Sequence, residues 1–180
     1  MPHDPGGKVK LPLLPGMVGD AAFSDDKIYR HYLLRDWSDK HYWPWDIDTK
    51  FILWIGMNPS TAEGHIDDPT IRKEIKFSKR EDYERYIKCN VMDYRSTSPQ
   101  NIPQDGAMSD GNRGTIRWFA KRAAIIIAAW GKLPPKLSYH AEVVFHDICK
   151  YQIWCLGKNN DGSPRHPLYL KDTTPFERFN

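Results

Sequence analysis

Lys50-Phe51-Ile52-Leu53-Trp54-Ile55-Gly56 is the stretch that decides the fold class. It is short, continuously apolar after its lysine, and closed by a glycine. A strand buried on both faces of a parallel sheet reads this way. Three more runs share the pattern: Tyr86 to Met92, Ala123 to Trp130 with Gly131 behind it, and Gln152 to Gly157. Helical signals lie between them. Asp68-Pro69-Thr70 supplies an N-cap followed by proline at the first helical position, which predicts a helix to about Arg80. Thr115 to Arg122 places Ile116 and Phe119 on one face, and Pro135 to Tyr151 turns Leu137, Ala141, Val144, Phe145 and Ile148 inward. Buried strands alternating with helices imply right-handed crossovers. The fold expected is therefore α/β, in three layers, around a central, mostly parallel sheet of four or five strands.

Upstream, Ile28 to Trp37 has partial alternation and several charges, the pattern of a half-exposed edge strand. Lys40 to Asp48 reads as a loop. Residues 1–22 are rich in Pro and Gly and patternless, so a flexible N-terminal arm is expected, followed by one domain over 23–180. A chain of 180 residues, 40% hydrophobic, suits one domain with one core.

Composition narrows the function. With 26 basic and 23 acidic residues the formal charge is +3, which admits a nucleic-acid partner without demanding one. Cys89, Cys149 and Cys155 are odd in number and contain no C-x-x-C pair, which excludes a zinc ribbon or a four-cysteine cluster within one chain. The expected setting is a reducing, cytoplasmic one. No signal peptide is seen, and no apolar run approaches the roughly 20 residues of a membrane span. Phosphate-binding glycine loops and the hydrolase nucleophile elbow are absent.

Ligands of such sheets bind at the carboxyl ends of the strands. Polar segments start there: 57–68, 93–114, 131–135 and 158–166. In the first, Asn58 follows a buried strand, and Pro59 biases it away from helix. Its carboxamide can orient water or read an amide-like edge; the plain alternative is turn chemistry. Asn90 interrupts an apolar strand, so it needs a partner from protein or from ligand. His166 sits between Arg165 and Pro167; the neighbouring arginine is expected to keep the imidazole neutral. His65 with Asp67 and Asp68 could ligate a metal, but Asp68 is better explained as a helix cap, so neither metal nor cofactor is expected.

These residues carry a resemblance. Gly56-Met57-Asn58-Pro59, Asn90, Ile127 to Gly131 and Arg165-His166-Pro167-Leu168 resemble motifs of the uracil-DNA glycosylase superfamily. A closer resemblance, from about Tyr29 to Leu170, is to a bacterial and phage group, domain-of-unknown-function family 1643. It rests on Asn58 to Ala62, Asp67 to Thr70, Asn90 with Arg95 and Pro99, Ala129 to Gly131, and Gly162 to Tyr169. The glycosylase likeness implies a uracil-DNA-glycosylase-like fold. It implies a monomer that takes a non-standard base from single- or double-stranded DNA and hydrolyses its N-glycosidic bond. Asn58 would hold the attacking water, Asn90 would read the base edge beside Met57, and Phe77 or Trp54 would stack on it. His166 would donate to the leaving base. Ser60, Thr61, Arg95, Arg165 and Tyr169 would contact phosphate or other ligand groups, with a possible acidic role for Asp67 and Asp68.

Two departures mark this chain. Leu168 replaces the serine of the second motif, and Ser60 replaces a glycine of the first. Two alternatives stand beside the glycosylase. One is a nucleoside- or nucleotide-processing enzyme that grips phosphate with Arg95 and Arg165. The other is a non-catalytic module that senses a modified base. The glycosylase expectation requires Asn58, Asn90 and His166 in one pocket with an aromatic wall.

Overall fold

The computed structural model describes residues 9–40 and 50–180. The expected loop from Lys40 to Asp48 falls almost wholly outside these, as do residues 1–8 of the expected arm. The remainder of that arm is not free. β1 (Leu11–Pro12) pairs antiparallel with β5 (Ile66–Asp67), and β2 (Val18–Phe23) joins the main sheet. Sequence pattern missed β2 because Gly19, Asp20, Ala21 and Ala22 carry no β-branched or alternating apolar signal.

The other elements are β3 (Arg30–Asp36), β4 (Ile52–Gly56), α1 (Pro69–Arg80), β6 (Arg85–Asn90), α2 (Asn112–Ala120), β7 (Ile125–Ala128), α3 (Ser138–Ile148), β8 (Ile153–Cys155) and β9 (Glu177–Arg178). The main sheet has seven strands in the order β2-β3-β6-β4-β7-β8-β9. The expectation of a mostly parallel sheet of four or five strands, with the glycosylase-like fold that went with it, is corrected here. The sheet is mixed. Parallel pairing is confined to β6-β4-β7-β8, while β2-β3, β3-β6 and β8-β9 are antiparallel. The four apolar runs marked the parallel strands; the antiparallel ones have no such signature.

β3 is also corrected, from half-exposed edge strand to interior strand between β2 and β6. Its charges suggested solvent, yet Arg35 and Asp36 are fully buried. Arg35 Nε lies 2.7 Å from Asp67, and Asp36 accepts from Arg85 of the adjoining strand at 3.0 Å. Buried ions persist only when paired in this way.

Side chains from the two sheet faces feed two cores. On one face Leu53, Ile55, Ile87 and Cys89 pack against Ile116 and Phe119 of α2 and Val144 and Ile148 of α3. On the other, Ile52, Trp54 and Tyr86 pack against Ile71, Ile75 and Phe77 of α1. Period-2 alternation on β6 thus sends Tyr86, Lys88 and Asn90 to the α1 side. Glu74 of α1 meets them there: Tyr86 Oη and Lys88 Nζ each donate to it at 2.5 Å. Among the described residues no helix is long and apolar enough to cross a membrane.

Candidate functional site

β4 and β6 end level, with Gly56 opposite Asn90. Pairing continues one step further, Val91 N–H to Gly56 C=O at 2.8 Å and Met92 N–H to Met57 C=O at 2.9 Å. The chain after β4 then turns at Asn58. Its Nδ2 donates to the carbonyls of Pro59 (2.9 Å) and Ser96 (2.8 Å), and Ser96 N–H returns a bond to Pro59 C=O at 2.9 Å. The loops after β4 and β6 are thereby stitched together. Both Asn58 amide protons are spent, which leaves Oδ1 as a positioned acceptor without a partner among the described residues.

Arg35 fixes the far end of the first loop. Its guanidinium donates to the carbonyls of Glu63 (2.6 Å), Ile66 (2.9 Å) and Gly64 (3.2 Å). Gly19 lies against this assembly; a Cβ there would stand 2.2 Å from Gly64 O.

The third loop brings His166. Its return is a self-bonded turn, with Asn159 N–H to Ser163 C=O and Arg165 N–H to Gly157 C=O, both 2.8 Å. Gly131, at φ 69°, admits the histidine: any Cβ there would lie 3.2 Å from that of His166. Leu168 N–H donates to His166 Nδ1 at 3.4 Å, which leaves Nε2 as the protonated, donating nitrogen of a neutral ring. The ring is neutral because burial, aided by Lys88, lowers its pKa from 6.5 to about 4. The expected outcome thus has another cause: burial dominates, and the adjoining cation is Lys88 rather than Arg165.

These parts enclose one cavity of about 230 Å³. Asn58, Asn90 and His166 all line it, joined by Met57, Ser60 and Asp68 of the residues singled out from sequence. Asp68 has two roles, since its Oδ1 also caps α1 by accepting from Ile71 N–H at 2.9 Å. Asn90 is the most informative member. It is 1% exposed, and neither its Nδ2 nor its Oδ1 has a partner. An unsatisfied buried carboxamide costs about 1–3 kcal/mol, so its place on the wall of a cavity points to a ligand that satisfies it. Gly56 makes room for this arrangement, because a Cβ there would lie 2.6 Å from Lys88 Nζ and 3.0 Å from Asn90 Oδ1.

The other sequence candidates lie elsewhere. Phe77 and Trp54 are buried against each other and Phe176, so no stacking aromatic comes from them. The walls are instead apolar at Met57, Ile71 and Pro99. Thr61 is buried away from the lining; Thr70 and Thr97 line the cavity in its stead. Asp67 is held by Arg35 and Arg72, each at 2.7 Å. Arg95 is locked to Glu63 at 2.8 Å and lies over the Phe23 ring. Arg165 and Tyr169 are exposed and line an adjoining hollow of about 580 Å³, which His166 also borders. Arg95 and Arg165 therefore do not form a phosphate clamp. Cys89 lies on the opposite face, its thiol pushed up to about 12 by burial, and is unsuited to nucleophilic work.

Sequence reasoning missed Arg30 and Lys88, both on the wall. The available signal was spacing: Lys88 is two residues before Asn90, hence on the same strand face. A family model described as "Protein of unknown function (DUF1643)" matches residues 30–168. No curated protein and no solved structure matches the chain.

Proposed function

The chain belongs to the family described as protein of unknown function (DUF1643), and we propose that this member hydrolyses the N-glycosidic bond of a non-standard base in DNA, acting as a monomer. The observation that carries the reading is Asn90. Its donor and acceptor are buried and unfilled in a cavity that also holds Asn58 and His166. A nucleobase with an amide-type edge supplies the complementary acceptor and donor. The motif likeness of Gly56 to Pro59 and Arg165 to Leu168 to glycosylases adds support from sequence alone.

The chemistry follows from the three groups. The base leaves with the electron pair of the C–N bond, and negative charge gathers on its oxygen. His166 Nε2–H, neutral and aimed by its Nδ1 bond, donates to that oxygen; such a donor typically contributes about 3–4 kcal/mol. Asn58 Oδ1 holds the water that adds to the sugar carbon; the spare proton of that water is lost to solvent, and the departed base anion takes one up from solvent. An asparagine is no base, so bond breaking runs ahead of water attack. Met57, Ile71 and Pro99 provide dry contact for the base faces.

The test is base release from labelled single- and double-stranded oligonucleotides carrying uracil, hypoxanthine, hydroxymethyluracil and hypermodified bases. Alkali-labile abasic sites are expected with the wild type and absent in Asn58→Ala and His166→Ala. Release that survives in both variants would overturn the assignment.

A further inference from the structure

Four arginines are buried: Arg30, Arg35, Arg85 and Arg95. Three have a carboxylate in contact, Asp67 at 2.7 Å, Asp36 at 3.0 Å and Glu63 at 2.8 Å respectively. Arg30 has none among the described residues. It is 2% exposed, its Nη1 donates to the Ala62 carbonyl at 2.8 Å, and its Nε is buried without a partner. Asp68, on the same cavity wall, offsets the burial of this charge only in part and forms no ion pair with it. Lys88 is matched by Glu74, and Asp68 commits Oδ1 to the end of α1. Burial, with a smaller push from the neighbouring Arg35 and Arg95, outweighs the opposing pull of Asp68 and lowers the Arg30 pKa to about 10.

A buried guanidinium with no ion-pair partner and an unfilled Nε is unfavourable unless a further group completes it. Arg30 lines the same cavity as the unfilled Asn90 carboxamide, together with the hydroxyl-bearing residues Ser60, Thr70 and Thr97. We propose that this cavity is built for a ligand bearing an ionised oxyanion, a carboxylate or phosphate group that docks on the Arg30 guanidinium. The substrate class narrows accordingly, from any base with an amide edge to one carrying an acidic substituent. A neutral carbonyl would satisfy Nε in geometry but leave the charge unmatched, whereas an oxyanion meets both needs. The inference rests on the base-reading role of Asn90 only for its choice of probe.

The experiment is equilibrium binding to the full chain of uracil, uracil-5-carboxylate and inorganic phosphate, with wild type, Arg30→Met and Arg30→Lys. Wild type is expected to prefer uracil-5-carboxylate over uracil by about tenfold or more, the discrimination of a charge-assisted contact. Arg30→Met removes the preference and unfolds at the same temperature or higher, since it discards an unpaired buried charge. Arg30→Lys keeps a reduced preference and serves if the methionine variant does not fold. Phosphate that competes with uracil-5-carboxylate shows the seat accepting a free oxyanion; failure to compete restricts it to a base substituent. Equal affinity of wild type for uracil and its carboxylate overturns the proposal, as does a preference undiminished in Arg30→Met. Binding is read without turnover, so a chain that releases no base leaves this result standing, and the reverse.

Discussion

Lowering the pH from 7.5 to 5.0 tests whether His166 sits in the fold as a neutral donor. The unfolded chain holds this histidine at its ordinary pKa of 6.5, the folded chain at about 4. Above 6.5 both states are neutral and the group contributes nothing to pH dependence. Below 6.5 the unfolded state takes up a proton that the folded state refuses, so stability falls as pH falls, and the loss is complete near pH 4. At about 1.4 kcal/mol for each pH unit, the loss reaches about 2 kcal/mol at pH 5 and about 3 kcal/mol at pH 4. The ring is half-buried, so these are upper values. Other groups titrate in the same range, and His166→Gln isolates the histidine. Urea unfolding of both proteins at pH 7.5 and 5.0 should show the wild type losing about 1–2 kcal/mol more than the variant. Equal losses would refute the reasoning, because they would mean that His166 accepts its proton as readily folded as unfolded.

Further outcomes follow from the packing. Asn90→Ala removes no hydrogen bond of its side chain, so stability should stay within about 0.5 kcal/mol while ligand binding is lost; Asn112→Ala, whose Nδ2 holds the carbonyls of Asn90 and Val91 at 3.1 Å, should cost about 1–2 kcal/mol in the same urea titration. Glu74→Ala strands the Lys88 ammonium in the α1 core and should cost about 3–5 kcal/mol by thermal or denaturant unfolding, with Glu74→Gln milder. Gly56→Ala drives a methyl against Lys88 and Asn90; a loss of about 1–3 kcal/mol and weakened binding of any cavity ligand are expected, and wild-type behaviour in both assays would show the cavity relaxing freely.

Much of the cavity was legible because its residues interrupt strong patterns. Asn90 stands out inside Tyr86 to Met92, Asn58 stands directly behind a buried strand, and Asp68-Pro69 marks the start of α1 where the sequence placed it. The parallel strands were legible for the same reason, since doubly buried strands are apolar throughout. Illegible were features set by partners distant in sequence. β3 carries Arg30, Arg35 and Asp36 because Asp67 and Arg85 neutralise two of the three, and no local window reports that. Arg30 reaches the cavity from a strand that its sequence pattern places at the sheet edge and the structure places inside. Phe77 follows helix periodicity into the core, against the stacking role that the glycosylase likeness implies for it. The resemblance named the motif residues but not Lys88, which the two-residue spacing on β6 sets on the same face as Asn90.

The grip of Arg35 on the first loop bears on which positions can drift. That grip uses main-chain oxygens of Glu63, Gly64 and Ile66, and every amino acid supplies the same oxygen. Side chains at 63–66 can therefore be exchanged widely without moving Asn58 or Ser60, apart from the Glu63 contact to Arg95. The constraint falls instead on Arg35, on Asp67 that orients it, and on Gly19, where any larger residue collides with the loop backbone. A randomised library over these positions should return tolerance at 63–66, none of which lines the cavity, and intolerance in the strands beneath, so that this part of the loop can drift while the cavity keeps its shape.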